Sequence, residues 1–176
     1  MNELYKIDEA KYFLARMEES VKDREAFRYN LSAFLSSARS VLQYARKESV
    51  AKDRQDWYDK TVSRNDVLRF FIDKRDVNIH DEPINPSSHI AIAISENVSV
   101  FSSATVASFN DRPVVMDRPK EEPPPPKPSE TRNEGTIVYR FDDWPGPEDV
   151  IGLSHRYVEE LEEFVRKGME AGIISG

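Results

Sequence analysis

Over residues 8–21, apolar side chains at Ala10, Phe13, Leu14, Met17 and Val21 recur at three- and four-residue steps. That period places them on one face of an α-helix and predicts a first amphipathic helix. A second stripe, from Phe27 through Leu31, Phe34, Ala38 and Leu42 to Ala45, follows the charged run Lys22-Asp23-Arg24-Glu25. The run reads as a joint between two helices or as a bend in one long helix. Beyond it, Asp53 is placed to cap a short helix carrying Trp57. Ser63, three residues before Asp66, resembles a capping arrangement ahead of Val67, Leu68, Phe70 and Phe71. This helical region is predicted to end near His80, since Pro83 and Pro86 remove helix-compatible positions and Asn85-Pro86-Ser87-Ser88 is a turn composition.

The pattern then changes period. In His89-Ile-Ala-Ile-Ala-Ile-Ser95 the isoleucines at 90, 92 and 94 alternate, as an extended strand requires, and residues 98–101 and 104–109 are similarly β-prone. Residues 136–141 are a further strand candidate, which would close a small antiparallel sheet. Between them, Arg118-Pro119-Lys120-Glu121-Glu122 and the prolines 123–126 favour a solvated, polyproline-like loop. Trp144-Pro145-Gly146-Pro147 reads as a turn, and Pro147, Glu148 and Asp149 as the first turn of a last helix with the stripe Val150, Leu153, Tyr157, Leu161, Phe164 and Val165. The fold class expected is mainly α: a helical bundle from residues 1–82 and 147–176, with a β-rich insertion at 83–146 whose proline-rich loop spans about 113–134.

With 39% hydrophobic and 32% charged residues in 176, the chain has the composition of a folded, richly charged domain. Charges scattered through the first ten residues do not suit a signal peptide, and no apolar run is long enough to span a bilayer. A cytoplasmic protein without membrane contact is expected. The absence of cysteine excludes disulfides, thiolate nucleophiles and cysteine-ligated metals. The net charge of -7 opposes broad electrostatic binding to nucleic acid. That charge is uneven, however. Residues 1–80 hold sixteen lysines and arginines against fourteen acids, which leaves room for a local anion site in the first half.

Three histidines allow each to be weighed separately. His89 opens a strand and His155 lies among polar positions of the last helix, so both read as structural. His80 ends a helix that turns polar through Lys74-Arg75-Asp76-Val77-Asn78-Ile79. Asp76 lies four residues before His80 and shares its face, where a carboxylate would orient the imidazole. Arg75 lies five before it, about 140° around an ideal helix. Asn78 adds a neutral donor and acceptor, and Lys74 and Arg69 are suited to phosphate oxygens without any metal. No metal or other cofactor is expected. Asp142-Asp143 is a cation candidate, but adjacent acids before a turn are more often solvated. Tyr139, Phe141 and Trp144 offer faces for bases, although aromatics near a strand end more commonly pack.

Arg75-Asp76-Val77-Asn78-Ile79-His80 resembles the arginine, polar residue, three residues, histidine motif of HEPN domains. These are helical bundles, many of them metal-independent ribonucleases. The resemblance covers roughly residues 7–82 and 147–172, and the β-rich stretch departs from the minimal family pattern. It implies RNA cleavage by a ribose 2′-hydroxyl, with His80 exchanging the proton, Arg75 facing the phosphorane oxygens, and Asp76 and Asn78 orienting the other groups. It also implies a homodimer with a composite cleft and, for family members that are toxins, a cognate antitoxin-like partner. The alternative is a non-catalytic helical binding or scaffold protein in which Arg75, Asp76 and His80 satisfy one another at a helix end.

Overall fold

The computed structural model describes residues 2–80, 84–91 and 136–175, with the backbone alone of Val77, Ile79, His80, Ile90 and Ala91. The order is α1 (Asn2–Glu19), α2 (Arg24–Ala51), α3 (Gln55–Ser63), α4 (Asp66–His80), β1 (Ser87–Ala91), β2 (Thr136–Arg140) and α5 (Val150–Glu170). The protein is mainly α, with a two-stranded antiparallel sheet before the last helix. Contacts divide the chain into residues 1–91 with 136–176, and residues 92–135. The second unit lies outside the described residues. With it lie the expected strands at 98–101 and 104–109, the proline-rich loop, and Ile92 and Ile94.

The periodic stripes become the core. Ala10, Leu14 and Met17 of α1 meet Phe27, Leu31, Phe34, Leu35, Ala38 and Leu42 of α2, and Leu153, Tyr157, Leu161 and Phe164 of α5 close over them, all buried. The charged joint resolves into two helices. Asp23 leaves the helical region and its carboxylate accepts the backbone N–H groups of Glu25 and Ala26, which start α2 afresh. α1 begins earlier than the apolar period suggested, at Asn2, and Val21 falls beyond its end.

Three expected helix starts are corrected. Asp53 caps nothing: it takes a left-handed φ of 54° and turns the chain back, so that Arg54 N–H reaches Ser49 O, and Arg54 precedes α3 without a side-chain cap. Ser63 is the last residue of α3, and its hydroxyl donates back to Lys60 O. The cap of α4 is Asn65, whose Oδ1 accepts Leu68 N–H at 3.0 Å and whose amide donates to Glu160 of α5 at 2.6 Å. Pro147 and Glu148 precede α5, and Asp149 is its cap, accepting Gly152 N–H at 2.7 Å.

The strands pair with Ser87 opposite Arg140, His89 opposite Val138 and Ala91 opposite Thr136. β1 thus starts two residues before His89. β2 is pinned to the bundle because Tyr139 stacks on Phe27, ring centroids 4.0 Å apart, and its hydroxyl donates to Val21 O. At the far end, α5 stops at Glu170, Ala171 caps it, Gly172 takes a φ of 68°, and Ile173 and Ile174 fold back into the core. Among the described residues no helix is long and apolar enough to cross a membrane.

Candidate functional site

α4 changes character along its length. Val67, Leu68 and Phe71 are buried, with Phe71 stacked face to face on Tyr157 at 4.2 Å. Arg75 and Asn78 continue that same stripe at helical spacing, so the core-facing side of the helix becomes polar in its last turns. Arg75 is therefore drawn inward. Its side chain is 21% exposed, Nη1 donates to Asp76 Oδ1 at 3.0 Å, and the buried Nε meets no acceptor among the described residues. Asp76 stands more in solvent, at 47%.

Asn78 is held at both ends of its amide. Nδ2 donates to Ser32 Oγ of α2 at 2.8 Å, and Oδ1 accepts Ile84 N–H at 3.1 Å, tying the chain beyond α4 back to the bundle. Lys74 is engaged elsewhere. Its ammonium pairs with Asp143 at 2.6 Å and lies over the rings of Phe70 and Phe141, 5.2 and 5.3 Å from their centroids. Arg69 sits in the first turns of α4 and pairs with Asp66. His80 is the last residue of α4, so backbone geometry sets it and Arg75 about 140° apart on a continuous helix. Its imidazole, and with it the expected Asp76–His80 contact, lies outside the described residues.

Beside Asn78 opens a cleft of about 330 Å³ lined by Glu25, Arg28, Tyr29, Ser32, Asn78 and Ile84. Arg75 lies one turn back along α4 from Asn78 and is not among the lining residues. Arg28 is half-buried with an Nε that meets no acceptor among the described residues, and Tyr29 is 70% exposed. Neither was singled out from the sequence, where both fall on the polar side of a long helix. They reach Asn78 only because α2 and α4 pack together.

The other sequence candidates have structural partners. His155 Nε2 meets Glu18 at 2.6 Å on the surface, and His89 is exposed on β1. Asp142 accepts the Ser87 hydroxyl at 2.7 Å while Asp143 faces Lys74, and no cluster of potential metal ligands occurs among the described residues. Tyr139 and Phe141 are buried. Trp144 donates to Glu148 at 2.9 Å, and this bond leads the causes that hold the Glu148 carboxyl below its ordinary range. Burial raises the phenol of Tyr157 strongly and that of Tyr58 less, where the nearby Arg39 charge opposes it.

No family model, curated protein or solved structure matches this chain.

Proposed function

We propose that the protein is a metal-independent endoribonuclease of HEPN type, acting through the last turns of α4. The observation that carries the reading is Arg75: a half-buried guanidinium on a continuous helix that ends at His80, with donor capacity beyond its bond to Asp76. A planar fork fixed in this way is suited to charge growing on phosphate oxygens.

In this reading the ribose 2′-oxygen attacks the adjacent phosphorus, the P–O2′ bond forms and the P–O5′ bond breaks. His80 takes the 2′-hydroxyl proton, and the leaving 5′-oxygen acquires one from a second acid. The products carry a 2′,3′-cyclic phosphate and a 5′-hydroxyl. Asp76 holds the Arg75 fork, and Asn78 fixes α4 against α2 beside the cleft where the strand enters. Lys74 and Arg69, already paired with Asp143 and Asp66, take a lesser part in holding phosphate than Arg75 and Arg28. The 140° between Arg75 and His80 is bridged by a second protomer, so that the working unit is a homodimer.

The second reading, a non-catalytic binding module, is favoured by one observation. Asp76 already partly neutralises Arg75, and both ends of the Asn78 amide are used within the fold. Incubation of mixed RNA with the purified protein in EDTA separates the two. Cleavage leaving cyclic phosphate ends is expected, and intact RNA beside folded, dimeric protein gives the second reading precedence.

A further inference from the structure

α2 carries no aspartate or glutamate between Glu25 and Glu48, yet it holds Arg28, Arg39, Arg46 and Lys47. In a chain of net charge -7 this is a pronounced local reversal. At 100° per residue, Arg28, Arg39 and Arg46 project within about 20° of one another, and they span about 27 Å of helix. Many cations elsewhere face carboxylates, as in Lys11–Glu162, Arg156–Glu148 and Arg166–Glu163, although Lys22, Arg54, Lys60 and Arg64 do not among the described residues. Among the described residues, none of the four α2 cations has such a partner.

We propose that this ridge of α2 is a track for single-stranded RNA, leading away from the cleft at the end of α4. The proposal rests on the reading of that end as an RNA-cleaving site. Arg28 lines the near cleft, and Arg39, Arg46 and Lys47 line a second, shallower one of about 370 Å³ with Gln43 and Val50. Arg39 lies near Tyr58, where its charge opposes the effect of burial on the phenol, and its buried Nε meets no acceptor among the described residues. Tyr29 flanks the near cleft at 70% exposure, offering a ring face on which bases stack without regard to sequence.

A strand of regularly spaced phosphates fits cations strung along one helix face. An acidic protein partner would require an apolar centre inside its charged rim. A membrane surface would require several large aliphatic side chains between the cations, and along this face Val50 is the exposed aliphatic one among the described residues.

The test is fluorescence anisotropy of a labelled 2′-O-methyl RNA of about twelve nucleotides, which lacks the attacking hydroxyl and so reports binding alone. The protein is compared with Arg46→Gln/Lys47→Gln, both exposed positions, and with Lys60→Gln/Arg64→Gln, on α3 and just past its end, as a matched loss of charge. The α2 pair is expected to weaken binding on the order of tenfold at low salt and to reduce the log–log salt slope by about 1.4, at ~0.7 per phosphate contact. The α3 pair is expected to leave both within twofold. Absent binding, equal losses in the two pairs, or tighter binding of an acidic peptide or anionic vesicles overturns the track. Unmodified RNA is scored separately for cleavage. Protein that binds through Arg46 and Lys47 but cuts nothing keeps the track and removes the nuclease, and protein that cuts while its affinity ignores both residues does the reverse.

Discussion

The first turns of α4 and its last turns are one continuous helix with opposite tasks. Val67, Leu68 and Phe71 disappear into the bundle, whereas Arg75 and Asn78 carry the same stripe onward as polar groups. Burying a polar group without partners is costly, and the helix meets that cost unequally. The Asn78 amide is bonded at both ends, while Arg75 keeps an unmatched Nε among the described residues. Lys74 and Arg75, adjacent in sequence, show the same division: one is clasped by a carboxylate and two rings, the other by its neighbour Asp76.

The largest expected effect lies in the apolar half. Phe71→Ala removes a ring stacked on Tyr157 and is expected to cost about 3–5 kcal/mol, measured by urea unfolding. If it costs no more than a surface change, the apolar half is not the anchor of α4. Next comes Asn78→Ala, which leaves the Ile84 N–H and the Ser32 hydroxyl without this partner and should destabilise by about 1–3 kcal/mol. Lys74→Ala removes one partly exposed ion pair and two ring contacts, and a loss of about 1 kcal/mol is expected from the same titration.

The smallest effect concerns Tyr157, whose buried hydroxyl has no hydrogen-bond partner among the described residues. Tyr157→Phe should lie within about 1 kcal/mol of wild type at neutral pH, on the stable side if it differs. Its signature is alkaline. Because burial raises the folded phenol above its ordinary value, the stability it contributes is complete below about pH 10 and is lost as pH rises beyond. Thermal melts across that range should fall less steeply in Tyr157→Phe, with Tyr58 supplying a residual fall.

Much of this division was legible in the sequence, because apolar side chains at helical spacing have few alternatives to a shared core. Leu14, Phe34, Leu42 and Leu161 are buried as their periodicity demanded. Helix starts were less legible. Several short polar residues compete for each cap, and the winner depends on tertiary partners: Asn65 prevails over Ser63, bound at once to Leu68 N–H and to Glu160 of α5. Of the candidate site, the α4 residues could be found because they are contiguous. Arg28, Tyr29 and Ser32 could not be joined to Asn78, since the packing of α2 on α4 brings together positions 46 apart in the case of Ser32 and Asn78. The signal that would have pointed to α2 was its lack of acids from 26 to 47 in an acidic chain.

The most direct test compares the two adjacent cations. Lys74→Ala and Arg75→Ala are purified at matched folding and oligomeric state and assayed beside wild type for RNA cleavage in EDTA, with His80→Ala as a third variant. Lys74→Ala is expected to melt earlier but keep most of its specific activity, while Arg75→Ala and His80→Ala lose cleavage by on the order of a hundredfold or more without a matching loss of stability. Equal cleavage by Arg75→Ala and wild type, or loss in Lys74→Ala alone, would contradict that expectation.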